Sequence, residues 1–344
     1  MFIFSIILYT LCLVSFRDSI KREISKSEIV ELFIFGILML LIAACRTKGY
    51  DYQSYKNIYN LCNSGITQGQ DPGFTLLCII SPSYRILLIL MAALSIIPLI
   101  KLCKEWSPIP VFSLLIVFTL VFFPGVMGQM RQNVATMLIL LAYYYRKEHN
   151  KKYIFILAYA VTIHTAAILG ILYFVPMKRR YSFVIYMAIF IASIACSSII
   201  QNIFGDYIGL FGSIAQDKFE VYNQLETQRN VSLGLNTAVL IRIIVFTLAY
   251  IYLKGTKYDN PQFLNIYFIS IVWYMLFSFL PQLGSRGSAY FSILDIFLIP
   301  QIIYSLKSYQ RIICSIGFIV LSILRFYQFF GDDFNSNSYL PYFN

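Results

Sequence analysis

Arg131, Arg242, Arg286 and Arg325 stand inside or at the edge of long apolar runs. A charge is expensive there and marks function by default. Arg131 follows Gly128-Gln129-Met130 at the start of one run, with Gln132 and Asn133 beside it. Arg242 is six residues past Asn236, which opens its run, or about 9 Å along a helix at ~1.5 Å per residue. Arg325 lies five residues before Phe330, the end of the last run. Arg286 occupies the turn Gly284-Ser285-Arg286-Gly287-Ser288, shortly before Tyr290. With the topology derived below, all four share one depth, the outer third of a bilayer. Guanidinium forks match phosphate oxygens in pairs, so such a set suits a multiply charged anion, and a lipid pyrophosphate is natural at that depth. The alternative is four independent side chains reaching for the headgroups. Arg131 opposes the dipole of the helix it opens, so it adds nothing as a cap.

The chain has two histidines, His149 and His164. That excludes an HExxH site or a histidine-rich metal cluster, and no metal is expected. His164 sits in Thr162-Ile163-His164-Thr165. It is suited to moving a proton near neutral pH or to donating to a phosphate; the alternative is a structural histidine satisfied by its two threonines. His149, in a basic loop, is assigned no role. The segment 46–85 holds Arg46, Lys48, Asp51 and Asp71-Pro72-Gly73-Phe74. Tyr52, Tyr55 and Tyr59 fall on one face of a short helix, the pattern of headgroup anchors. Anchoring does not explain Asp51 or Asp71. The stretch Phe74–Ile80 is too short to span.

These residues need an apolar scaffold, and composition supplies one. Of 344 residues, 59 % are hydrophobic and 12 % charged, and the mean hydropathy is +0.71. Soluble domains carry about twice that charge. We therefore expect an all-α polytopic integral membrane protein forming one domain over residues 1–344. No GxxxxGK[ST] or GxGxxG loop is present, so no nucleotide cofactor is expected. Seven cysteines, an odd number, lie mostly in apolar runs and read as small fillers, not as a disulfide framework. The net charge of +11 reads as an orientation signal, with no nucleic-acid partner.

The apolar runs are Met1–Phe16, Ile29–Cys45, Ile86–Leu102, Pro110–Pro124, Gly128–Tyr145, Tyr153–Pro176, Tyr181–Phe204, Asn236–Leu253, Phe263–Leu280, Tyr290–Leu306 and Ile312–Phe330. The first has no basic residue before its apolar part and no small-residue cleavage site, and reads as a helix, not a signal peptide. Basic clusters at 17–28, 146–152 and 178–180 all look cytoplasmic, yet a single run separates the last two. A re-entrant hairpin at 153–176, with its tip near 162–165, removes the conflict. Inside loops then carry seventeen Lys and Arg against eight outside. The expectation is ten crossings plus one hairpin, with 46–85 and 205–235 as the larger outside loops.

Taken in order, several segments resemble the EpsG/Wzy-type polysaccharide polymerases of bacteria. They are Gly49-Tyr50-Asp51-Tyr52-x-x-Tyr55-x-x-x-Tyr59, Asp71-Pro72-Gly73-Phe74, Met130-Arg131-Gln132-x-x-Ala135, Ile163-His164-x-x-Ala167-Ile168, Ser285-Arg286-x-x-x-Tyr290-Phe291 and Tyr339-Leu340-Pro341-Tyr342. The family more often has Glu where this chain has Asp71, and Leu where it has Gly287.

The resemblance implies multi-pass residence in the bacterial inner membrane, and oligosaccharide repeat units on undecaprenyl pyrophosphate as substrate. It implies transfer of the growing O-antigen or related glycan onto the next lipid-linked unit at the periplasmic face. A flippase and a chain-length regulator are the implied partners. On this chain the pyrophosphate would fall to Arg131, Arg242, Arg286 and Arg325. The base would be Asp51, or else His164. Tyr50, Tyr52, Tyr55, Asp71, Gln132 and Tyr290 would hold the glycan. Two other readings compete. A membrane O-acyltransferase would use His164, but its acyl-CoA enters from the cytoplasm, away from these polar residues. A transporter would show repeated halves, and none is visible.

Overall fold

The structure, a computed structural model, describes residues 1–21, 25–67, 69–207, 235–332 and 337–339. Most of the expected outside loop 205–235, the Leu340-Pro341-Tyr342 end of the last motif and Arg22 of the first basic loop lie outside the described residues. Sixteen helical segments make up the described chain.

Local chemistry sets the helix starts. Ser25-x-x-Glu28 opens α2 (Lys26–Cys45) as a capping box: Ser25 Oγ accepts the Glu28 N–H at 3.3 Å and donates to its carboxylate at 3.2 Å. Ser83 caps α5 (Tyr84–Trp106) by accepting the Ile86 N–H at 3.3 Å. Asn236 and Asn260 cap Thr237–Tyr252 and Pro261–Leu276 in the same way. Proline at the first helical position, as in Pro261, loses no needed donor.

Five helices are long and apolar enough to cross a membrane: α1 (Phe2–Ile20), α2, α5, Phe183–Ile203 within α9 (Phe183–Tyr207), and Ser308–Gly331. Gln282–Ser292 with Asp295–Ser305 makes a sixth if the interrupted pair is one span. Of the other expected crossings, three are shorter apolar helices, Pro110–Val126, Thr237–Tyr252 and Pro261–Leu276, and the run 128–145 forms the helix Met130–Lys147, which is not among the candidate spans. Pro110–Val126 changes type midway, α6 (Pro110–Ile116) passing into a π-helical stretch at Val117–Val126 that contains Pro124. A wider helix of this kind is rare and tends to occur near function.

The chain divides into two compact units, Met1–Ile171 with Ile296–Asn344, and Leu172–Asp295. In the first, α1 packs on α6 and on Ser308–Gly331, and α2 packs on α5. Aromatic rings fill the space around Phe123, whose centroid lies 5.1 Å from Phe4, 4.8 Å from Phe330 and 5.8 Å from Tyr339. The short α3 (Tyr52–Asn63) lies on α4 (Pro72–Ile80), and α4 reaches α8 (Lys152–Ile163).

The run expected to be a hairpin is broken at His164, where the backbone is extended, and continues as a 3-10 helix, Thr165–Phe174. α8 lies along α7 (Met130–Lys147), and Thr165 reaches the residue that pairs with Arg131 at the start of α7. Five residues on, Gly170 lies against Ile139, eight residues deeper in α7; a Cβ at 170 would stand 2.4 Å from Ile139 Cδ1.

In the second unit, Pro261–Leu276 packs on α9, on Thr237–Tyr252 and on Pro281–Ser292. Arg180 Nη2 pairs with Asp259 Oδ1 at 2.5 Å, so two segments that the charge pattern puts on one side do meet. Gly287 lies so close to Trp273 that a Cβ would stand 2.1 Å from its indole nitrogen. That accounts for glycine where the resemblance leads one to expect leucine.

Candidate functional site

Three sequence-nominated residues meet in the first unit around one carboxylate. Asp71 occupies the N-cap position before Pro72, a place where aspartate normally accepts its own helix's amides. Its side chain makes no such bond. It turns away, and Oδ1 accepts the Thr165 N–H at 3.0 Å together with the Thr165 hydroxyl. Oδ2 accepts from Arg131 Nη1 at 3.0 Å and faces His164 Nδ1 at 3.4 Å. Asp71 therefore caps the 3-10 helix that follows His164.

The electrostatics follow from this geometry. Burial pushes the Asp71 carboxyl upward, but the bonds from His164 and Thr165 and the Arg131 charge outweigh it and hold it down to about 2. The side chains of Asp71, Arg131 and His164 are 12 %, 22 % and 27 % exposed, so the cluster is shielded yet reachable. Arg131 also takes Gln70 Oε1 at 3.3 Å, and its guanidinium carbon lies 5.7 Å from the Tyr55 ring centre and 5.2 Å from that of Phe74. Its Nε is buried without a hydrogen-bond partner among the described residues. The fork thus holds Asp71 through one terminal nitrogen.

α4 can seat Asp71 here because Gly73 touches α8. A Cβ at 73 would lie 2.3 Å from Thr162 Oγ1 and 2.9 Å from the Thr162 carbonyl carbon.

A second cluster steadies the start of α7. Arg46, 1 % exposed, places Nη2 2.6 Å from Met130 Sδ. Gly49, at φ 151°, leaves 3.2 Å between its absent Cβ and the Met127 carbonyl. The Tyr339 hydroxyl donates to the Phe123 carbonyl in the π-helical stretch at 2.7 Å. Burial pushes that phenol up to about 12.

The remaining nominated residues are placed as follows. Asp51 stands before α3, and its carbonyl accepts the Tyr55 N–H at 2.9 Å. Tyr50 is exposed, and the Tyr52 ring meets Tyr84 at 5.2 Å. Tyr55 is buried, with its ring 5.8 Å from Phe74, so it shapes the Arg131 pocket instead of offering an open face. Gln132 is buried on α7, and its carbonyl takes the Thr136 hydroxyl. Arg325 bonds Gln328 at 3.2 Å on its own helix. Arg242, Arg286 and Tyr290 belong to the second unit. There Arg242 Nη1 donates to Ser288 Oγ at 2.9 Å and stacks over Tyr274 at 5.1 Å, while the Tyr290 carbonyl accepts the Tyr173 hydroxyl at 2.8 Å. The same unit holds the part-buried pair Tyr267–Asp295, at 2.5 Å, which sequence reading passed over because Asp295 gives no pattern within its apolar run. The role of Thr165 was equally invisible, since a backbone amide leaves no mark in sequence.

Among the described residues, no group of three His, Cys, Asp or Glu side chains is placed to hold a metal. What the fold and the cluster define is an all-helical multi-pass membrane protein with a shielded Asp–Arg–His site. The EpsG family model matches residues 29–344, and the chain belongs to the EpsG family, which links it to polysaccharide biosynthesis. No curated protein and no solved structure matches.

Proposed function

We propose that this protein is a metal- and nucleotide-independent glycosyltransferase. It joins undecaprenyl-pyrophosphate-linked repeat units into O-antigen or a related surface polysaccharide at the outer face of the bacterial inner membrane. The finer topology belongs to this reading: ten crossings, with 153–176 re-entering from the cytoplasmic side so that its tip carries His164 outward. Family membership supports the substrate class. The observation that carries the chemistry is the Asp71 carboxylate, which holds a guanidinium and an imidazole side by side.

In this reading the acceptor sugar hydroxyl attacks the anomeric carbon of the donor glycan. A new C–O bond forms, the bond to pyrophosphate breaks, and undecaprenyl pyrophosphate leaves. Asp71 accepts from His164 Nδ1 and so leaves Nε2 with its lone pair to take the hydroxyl proton. Asp71 itself, with four donors on its oxygens, is a positioning residue and a poor base. This geometry favours His164 over Asp51 as the base. Arg131, through the terminal nitrogen that does not hold Asp71, stabilises the charge that builds on the leaving pyrophosphate. Arg242, Arg286 and Arg325 are retained as proposed further ligands for that anion, and Tyr50, Tyr52, Asp51, Gln132 and Tyr290 as proposed glycan contacts. A flippase and a chain-length regulator remain the proposed partners.

The test is the surface-glycan ladder of a deletion strain. Single repeat units on the lipid core support a polymerase. Loss of all glycan points to a transporter, and long chains left unattached to the core point to a ligase.

A further inference from the structure

Seven cysteines looked like independent apolar fillers, but two of them meet. Cys62 closes α3 and Cys78 lies near the end of α4. Both side chains are buried, at 2 % and 0 % exposure, on two helices that pack on each other, and the Cys62 thiol adds to burial in pushing the Cys78 thiol up. The surrounding contacts hold the helices in this register. Asn63 Nδ2 donates to the Cys78 carbonyl at 3.4 Å, and the Tyr59 hydroxyl donates to the Ser81 carbonyl at 2.8 Å. Tyr55 packs edge-on against Phe74 one turn further along. No other cysteine shares this segment.

We propose that Cys62 and Cys78 form a disulfide in the mature protein, stapling α3 to α4 across the loop that carries Gln70 and Asp71. The inference rests on the outward placement of 46–85 proposed above, because thiols persist inside the cell and are oxidised outside it. The chemistry is two successive exchanges with an external disulfide, carried by a protein or a small molecule. One thiolate attacks that disulfide and forms a mixed disulfide. The second thiolate then attacks the cysteine sulfur of the mixed bond and expels the oxidant's other half as a thiolate. The first attack expels one half of the oxidant as a thiolate and the second expels the other, so two cysteines are oxidised and one external disulfide is reduced to two thiols, which take up the two protons the cysteines lose. Burial pushes the Cys78 thiol up to about 12, so exchange is slow once the helices have packed. The bond therefore forms as the segment leaves the membrane and folds. Its consequence is local. It fixes the two helices whose rings, Tyr55 and Phe74, flank the Arg131 guanidinium.

The sequence offers a clean assay. Between Lys56 and Arg85 there is no lysine or arginine, so trypsin releases both cysteines in one peptide, 57–85. Thiols are trapped with an alkylating reagent at lysis, in denaturant, before and after reduction. The expected result is a peptide two hydrogens light and unalkylated before reduction, doubly alkylated after it. Double alkylation without reduction overturns the proposal. A separate arm tests the placement. In a chain with Cys45, Cys62 and Cys78 changed to Ser, Ile66→Cys, at a position 57 % exposed, is probed with a membrane-impermeant maleimide on intact cells or spheroplasts. Labelling of residue 66 from outside, combined with two free thiols in the native chain, defeats the disulfide and leaves the topology standing. Labelling only after permeabilisation defeats the topology. As a second readout, reductant should lower the melting midpoint of the native protein and leave that of the Cys62→Ser/Cys78→Ser chain unmoved. Equal shifts in both count against the staple.

Discussion

Asp71 caps a helix to which it does not belong: its Oδ1 accepts the Thr165 N–H at 3.0 Å, 94 residues along the chain. The same carboxylate pairs with Arg131. Removing its charge should cost more than one bond. Asp71→Asn leaves a guanidinium in a shielded pocket without its counter-charge, and breaking such a pair costs about 3 kcal/mol. The check is the midpoint of thermal unfolding in detergent, with Asp71→Glu as comparison. An unchanged midpoint for Asp71→Asn would show that the pair is idle.

Acid should have the same effect. The folded-state carboxyl is held down to about 2, below its ordinary value near ~3.9. A depressed acid contributes its full stability above the unfolded value. That contribution, about 2 kcal/mol, is lost as pH falls from about 4 toward about 2. Melting curves of wild type and Asp71→Asn measured across that window should converge at the acid end.

Arg131→Lys keeps the charge but loses the fork. Polymer formation should fall by about 100-fold, the usual effect of removing one donor to a developing anion, while the protein still inserts. Undiminished glycan chains in this variant would remove Arg131 from the proposed site.

His164→Gln retains a polar side chain without a titratable one. The rate should fall by about 100-fold or more, the usual effect of losing a general base. An undiminished rate would remove His164 from the proposed chemistry.

Tyr339→Phe removes one hydroxyl from the Phe123 carbonyl. The loss should be about 1 kcal/mol, read as a lower melting midpoint. A larger effect would mean that the docked tail holds more of the start of α7 than this single bond.

The sequence made much of this legible. Apolar runs located the long helices, because hydrocarbon demands internally bonded backbone. The basic clusters at 146–152 and 178–180 pointed to a break near His164, and the helix does break there. Asp71, Arg131 and His164 were all nominated, but not as one cluster. Asp71 was expected to touch glycan and Asp51 to be the first base. Partner choice across 60 to 93 residues of chain is decided by packing, and no local pattern records it. The tyrosine stripe of α3 misled for a related reason. Its spacing matched a headgroup anchor, yet Tyr55 spends its face on Phe74 and Arg131.

One carboxylate ties both the Arg131 guanidinium and the Thr165 turn. Loss of the carboxylate therefore loosens both at once: a swing of the Asp71 side chain away from α7 leaves the turn without its cap and the cation without its counter-charge. In the function proposed above, one side-chain rotation would then unsettle guanidinium and imidazole together.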